Sequence, residues 1–241
     1  MPGCCVICCC AANYPRAGSR QRTFAKLRTT VRLRKVLVND RTAWRRRIHA
    51  QLFHHGLCVP PSLASAAGRA YLDQAKLPAA ARQVVEISLR SIDHIDAELD
   101  RIDAVLIPLA RRLPGCQVLM SQWGIGEILA VTILAELGDC RRFSSSRQAV
   151  RFVGLDVSVE DSDGKRSRGH LTRQGPPVLR WALYEAAGSA WRVAFPDHAY
   201  YLAAKERIGI KRARVSVSRR ILRRVHHELK NVGAQATAEA A

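Results

Sequence analysis

Several things are missing from this sequence, and each absence narrows the field. No apolar run approaches the roughly 18–20 residues of a transmembrane helix, which argues against an integral membrane protein. The N-terminus lacks the basic n-region of a secretory signal. No stretch alternates apolar and polar residues convincingly enough for a sheet, although 154–174 has room for a short hairpin. Acidic residues are scarce: 20 Asp+Glu stand against 39 Lys+Arg, a net charge of +19 over 241 residues. A chain that basic points to a polyanion, most often nucleic acid, with an arginine-rich background composition as the plain alternative.

A complete zinc site is missing too. Five of the eight cysteines crowd into the first ten residues, as Cys4, Cys5, Cys8, Cys9 and Cys10. Cys5 and Cys8 have the spacing of a zinc pair, but no second pair follows at finger distance. This stretch reads as a non-native leader, from a mis-assigned start or the scar of a truncation, rather than as a metal or lipid site. Residues 1–24 are expected to be disordered, as is a tail at 234–241. Cys58, Cys116 and Cys140 are isolated and read as small buried residues of a reduced, cytoplasmic protein.

What is present is helical. Hydrophobic residues make up 48% of the chain, enough for a core, and the length allows one large domain or two small ones. From Thr23 to about His55 apolar residues recur at Leu27, Val31, Leu37, Trp44, Ile48 and Leu52, with Gly56 placed to end a helix. A second stretch runs from Ser62 to Leu77. From Val85 to Leu113 the pattern is cleaner: Val85, Ile92, Leu99, Leu106 and Leu113 are seven apart, and Ile95, Ile102 and Leu109 follow three residues behind. Ser88 takes the remaining position. That is an a/d heptad repeat, which suits either a hairpin folded back within the chain or a pairing between subunits. Pro108 sits in the seam and is expected to kink or end the helix. Helices are then predicted near 117–121, 127–137, 145–153, 177–192, 197–206 and 211–231. The fold class is mainly α: a linker and coiled-coil region at 25–114, then a compact all-helical domain at 115–233.

Charge is uneven along this plan. Arg16 to Arg47 holds 12 basic residues and one acid, Asp40. Arg141 to Lys230 holds 20 basic and 8 acidic residues, while Arg82 to Asp103 is acidic. Two basic zones around an acidic connector suit a protein that grips a phosphate backbone in more than one place.

Three segments carry possible chemistry. At Trp123-Gly124-Ile125-Gly126 a Gly-hydrophobic-Gly turn precedes an apolar helix, the core of a helix-hairpin-helix. Its glycines permit positive φ, and the N–H groups at the helix start can hold a DNA phosphate; a plain helix corner is the alternative. The loop from Asp156 to Gly175 centres on Ser162, followed by Lys165, Arg166 and Arg168. Cationic surroundings would both activate a serine and neutralise the phosphate it attacks, whereas composition alone favours a solvated basic loop. His170 is a possible base in the same loop. The last long helix, Lys211 to Lys230, has an apolar stripe at Val215, Leu222, Val225 and Leu229, with arginines including Arg219, Arg220, Arg223 and Arg224 over much of the rest.

The ordered series Trp123 to Gly126, Leu134 to Asp139, Arg142 to Ser144, Gly154-Leu155, Ser162 to Lys165, Gly169 to Gly175, Leu179-Arg180 and Leu183 to Ala187 closely resembles the C-terminal domain of the IS-one-ten (IS-one-sixteen, IS-nine-oh-two) family of bacterial insertion-sequence transposases. Upstream, Asn39 to Ala43 and Arg47 to Leu52 look like that family's linking helix, and the heptads like its connecting coiled coil. The resemblance spans roughly residues 27–231. It implies DNA transposition by a recombinase with a RuvC-like N-terminal domain of four metal-binding acids and a C-terminal catalytic serine that becomes linked to DNA. It further implies homo-oligomers and a structured guide RNA.

Carried over, the serine falls on Ser162, with Lys165, Arg168 and Arg173 on the DNA-facing side. Gly124, Gly126, Arg166, Arg180, Arg219 and Arg220 complete the expected DNA-contacting set. The sequence departs from the pattern twice. The upstream acidic domain is expected to be missing, so no metal is expected in this chain; Mg would come only with that domain. Asp163 and Pro176 replace the family's usual Gly and Asn, and Asp163 sets a negative charge beside the serine. The expectation is a truncated transposase, or alternatively a catalytically inactive basic DNA- or RNA-binding remnant.

Overall fold

A computed structural model describes residues 19–158, 161–162, 165–166 and 170–237, with side chains described for 25–158 and 170–236. The cysteine-rich leader before residue 19 lies outside these residues. The element order is α1 (Ser19–His54), α2 (Ala66–Gln74), α3 (Ala79–Arg112), α4 (Pro114–Met120), α5 (Glu127–Leu137), α6 (Ser146–Val153), a two-residue antiparallel pair β1 (Asp161–Ser162) and β2 (Lys165–Arg166), α7 (Pro177–Ala186), α8 (His198–Ile208) and α9 (Ile210–Val232). The mainly α expectation holds, and the hairpin allowed for in 154–174 is present. Among the described residues no helix is long and apolar enough to cross a membrane.

The heptad helix pairs within its own chain. Arg34 bonds Asp103 at 2.6 Å and Arg41 bonds Asp96 at 2.7 Å, so α1 and α3 run antiparallel. Val85, Ser88, Ile92, Ile95, Leu99 and Leu106 are all buried. A subunit pairing through this seam would first have to displace α1. Near the hairpin tip, Ile48, Leu52, Leu63, Leu72, Val85 and Ile92 form a small separate core, over which α2 closes. Ser65 caps α2 by accepting from the Gly68 N–H at 3.1 Å, which is why that helix starts later than Ser62.

At its root the hairpin enters the main core. Leu27, Val31, Leu106 and Ala110 join one cluster with α5, α7 and α9. The helix α5 is buried on every side from Ala130 to Leu137, as expected of a helix apolar all round. Its buried acid, Glu136, is held by Arg32 through bonds of 2.7 and 2.9 Å. Cys116 and Cys140 are buried, and burial pushes both thiols up to about 12, which leaves them inert.

Four expectations change. The helix α3 continues through Pro108 to Arg112. Proline removes only one bond there, and the Ala104 carbonyl it deprives lies at an exposed residue that water can satisfy. The helix α1 begins at Ser19, ahead of the apolar periodicity, so residues 19–24 are helical rather than disordered. The tail from Gly233 to Thr237 forms a 3-10 turn with Ala236 buried, instead of being disordered from 234. Cys58 is exposed, because it stands in the connector beyond α1.

Candidate nucleic-acid interface

The serine loop grows from the end of α6. Ser145 caps that helix, and the Gln148 side chain returns the bond by accepting from the Ser144 N–H at 2.7 Å. Ala149, Val150 and Val153 face the core, which leaves Arg147 and Arg151, four residues apart, on the open face. Gly154 ends the helix at φ +70°. A Cβ there would stand 2.5 Å from the Gln174 N and 2.8 Å from the Arg173 carbonyl carbon, so the returning arm of the loop presses directly on this glycine.

The two arms then form a hairpin stem. The Ser158 N–H donates to the His170 carbonyl at 2.8 Å, the Thr172 N–H to the Asp156 carbonyl at 3.1 Å and the Arg173 N–H to the Gly154 carbonyl at 3.2 Å. The Thr172 hydroxyl bonds Asp156. Further out, Asp161 pairs with Arg166 and Ser162 with Lys165. Ser162 therefore sits at the outer end of the hairpin, its backbone paired with that of Lys165. The side chains of Ser162, Lys165 and Arg166, and all of Arg168, lie outside the described residues. Arg173 is exposed and adopts φ +53°, the only non-glycine residue with positive φ among those described, a conformation that costs of order 1 kcal/mol or more. His170 is exposed, and its N–H donates to the Ser158 hydroxyl at 3.0 Å.

Beside the stem lies a groove of about 620 Å³ between α6 and α9. Arg147, Arg151, Arg219 and Arg223 line it, with Asp156 as its carboxylate. Asp156 approaches Arg151 only to 3.9 Å. Arg219 donates its Nε to the Leu155 carbonyl at 2.5 Å, which aims the rest of the guanidinium along the groove; burial lowers its pKa without threatening its charge. One wall of the groove is thus basic and in line with the hairpin, a form suited to a phosphate backbone.

Other predicted contacts go elsewhere. Arg180 donates to the Val153 carbonyl at 3.1 Å and the Gly175 carbonyl at 2.7 Å. It staples α6 to the returning arm rather than facing outward, because those carbonyls have no other partner at the helix end. Arg220 pairs with buried Asp197 at 2.8 Å and stacks on Tyr200, one step round the helix from the groove. Of the two turn glycines only Gly124 has positive φ, at +82°. Its Cβ position lies 2.3 Å from the Ala186 carbonyl, so it serves the packing of the turn on α7; Gly126 has φ −90°.

Arg147 and Arg151 escaped the sequence reading, although their i, i+4 spacing on a predicted helix was the signal. Among the described residues no three His, Cys, Asp or Glu side chains gather to hold a metal ion. A divalent ion therefore does not fit these residues, and no step here is routed through one.

Residues 116–202 match the family model described as "Transposase IS116/IS110/IS902 family". The chain is 27% identical over 167 residues to a "Probable family 20 transposase" of Pseudomonas aeruginosa, covering 67% of this chain and 49% of that one. It is 25% identical over 170 residues to the "Transposase for insertion sequence element IS1111A" of Coxiella burnetii, covering 67% and 46%. With the "Transposase for insertion sequence element IS1328" of Yersinia enterocolitica it shares 26% over 160 residues, 65% and 47% of the two chains. The match spans about half the length of these relatives. The family-model match begins at Cys116 in α4 and ends at Leu202 in α8, enclosing both the serine hairpin and one wall of the arginine groove. Through these residues the chain is similar to the IS116/IS110/IS902 family of transposases.

Proposed function

We propose that this chain is the DNA-engaging part of an insertion-sequence transposase, and that it holds a DNA backbone in the α6/α9 groove while the adjoining hairpin presents Ser162 to a phosphate. The observation that carries this reading is the placement of four arginines on one groove at the base of the hairpin, within or beside the family-matched residues. The Arg180 bonds and the close approach of the returning arm at Gly154 fasten that base to the end of α6. In the reaction, the Ser162 hydroxyl loses its proton and its oxygen bonds to phosphorus. The departing deoxyribose oxygen takes a proton as the strand breaks. Lys165, Arg166, Arg168 and Arg173 are the cations proposed to offset the charge that develops on phosphate.

The test is a covalent adduct. The chain is incubated with element-end DNA, alone and with a full-length relative, and protein–DNA species are resolved under denaturing conditions. An adduct that Ser162→Ala abolishes supports the nucleophile; no adduct in either mixture removes it.

A second reading keeps binding and drops catalysis, and Asp163 favours it. A carboxylate next to the serine repels the phosphate that must approach. That reading expects salt-dependent DNA affinity with no adduct, the log of the affinity falling steeply with log salt. A structured RNA and further copies of the chain stay among the proposed partners, on the family resemblance. An oligomer would need a surface other than the heptad seam, which α1 covers.

A further inference from the structure

Two tryptophans point to a different contact. Of the four in the chain, Trp44 and Trp181 are half-buried and capped by cations, Arg47 at 4.0 Å and Lys35 at 4.1 Å. Trp123 and Trp191 are instead 48% and 63% exposed. They belong to segments that meet. Trp123 adjoins Gly124, whose Cβ position stands 2.8 Å from the Ser189 hydroxyl, and Trp191 lies two residues beyond Ser189. By the 3.8 Å spacing of successive Cα atoms, the two backbones are less than about 20 Å apart. Next to Trp123 the turn from Met120 to Gly126 forms a recess of about 390 Å³. Exposed Val193 extends the apolar surface.

The charge around this surface is positive. Arg192 lies 5.5 Å from the Trp191 ring, and Arg214 reaches the same turn, its Nη2 standing 2.8 Å from the Gly188 Cβ position. Of the neighbouring carboxylates, Glu127 is paired with Arg111 at 3.1 Å and Asp197 with Arg220 and Arg224, both at 2.8 Å, while exposed Glu185 stands beside the Ala186 on which Gly124 packs. Exposed indoles beside Arg192, with Arg214 held at the same turn by the Tyr184 carbonyl at 3.1 Å, fit a ligand that offers flat rings and negative charge together. Paired bases in a duplex hide their faces, whereas an unpaired strand exposes them.

We propose that Trp123 and Trp191 form a stacking platform for unpaired bases of single-stranded DNA, separate from the α6/α9 groove. This rests on the DNA reading above and adds to it a preference for strands opened from the duplex. Neither residue was among the expected DNA contacts.

Fluorescence anisotropy of the full chain tests it, with a labelled oligothymidylate, a duplex and an oligouridylate. Trp123→Ala and Trp191→Ala each weaken oligothymidylate binding about tenfold and leave duplex binding unchanged, while Trp191→Phe retains most of the strand affinity. The platform is overturned if the double alanine variant binds oligothymidylate as the wild type does, or loses duplex affinity equally. It is also overturned if the tryptophans matter only for oligouridylate, or if their loss merely dissociates a dimer in sedimentation. Wild-type protein that binds neither DNA form removes the underlying DNA reading. Wild-type protein that binds duplex through Arg151 and Arg223, with strand binding absent or indifferent to the tryptophans, removes the platform alone.

Discussion

The α1/α3 hairpin and the α6/α9 region are both rich in arginine, yet they use it in opposite ways. In the hairpin Arg34 and Arg41 of α1 are matched to Asp103 and Asp96 of α3, and Arg69 of α2 is matched to Asp93 of the same helix. The acidic connector seen in the sequence therefore supplies the partners of Arg34 and Arg41 from the first basic zone. Around the groove Arg147 and Arg223 have no acid within ion-pair distance among the described residues, and Arg151 has only a distant one. Paired arginines thus set the register of one region, and unpaired ones give the other an open positive surface.

The sharpest break of this comparison targets the two cores. Leu134→Ala removes a fully buried side chain from the main core and should cost about 3–4 kcal/mol, lowering the whole urea transition. Leu72→Ala in the tip core should cost a similar amount locally, detectable as faster amide exchange in α2, with DNA affinity intact. If Leu72→Ala abolishes DNA binding, the tip and the groove are not independent.

Next comes Gly154→Ala. With positive φ and backbone atoms at 2.5 and 2.8 Å from the new Cβ, it should cost about 2–3 kcal/mol, visible as a lower melting midpoint and as protease cleavage in the loop. Ordinary stability in this variant would mean the hairpin base is not pressed on the helix end.

The direct contrast is between arginines. Arg151→Gln with Arg223→Gln should lower duplex affinity roughly tenfold and reduce the slope of log affinity against log salt by about 2. Arg34→Gln with Arg41→Gln should cost about 1 kcal/mol of stability or less and leave the salt slope unchanged. Equal slopes for the two pairs would erase the distinction.

The smallest effect concerns pH. Burial holds the His226 imidazole below its ordinary value, with His227 and Lys230 adding repulsion. The unfolded chain then binds the proton more readily than the folded one, so stability is full above the unfolded pKa and declines as pH falls below about 6.5. Urea midpoints at neutral and mildly acidic pH check this, and His226→Phe should flatten the difference.

Much of the fold was readable from the chain. The apolar run of α5, the caps of α6 and the heptads of α3 each follow from local spacing, and most boundaries came within a few residues. The partner of the heptads was not readable, because an a/d seam is equally satisfied by α1 or by another subunit. The site was legible in part. Ser162 and its hairpin came from motif order, and the Asp163-Gly164 pair is itself a two-residue hairpin signal. The arginine roles were not: Arg180 and Arg219 look alike in sequence, yet one is spent on two carbonyls and the other is aimed along a groove.

The sequence by itself determined the helical class, the net charge of +19 and the family-like order of motifs, because periodicity and composition are local properties of the chain. Only the tertiary structure decided which positive charges remain available. A guanidinium is satisfied by whatever acceptor lies within about 3 Å, and long-range packing alone determines whether that acceptor is an aspartate, a helix-end carbonyl or the solvent where a phosphate can bind.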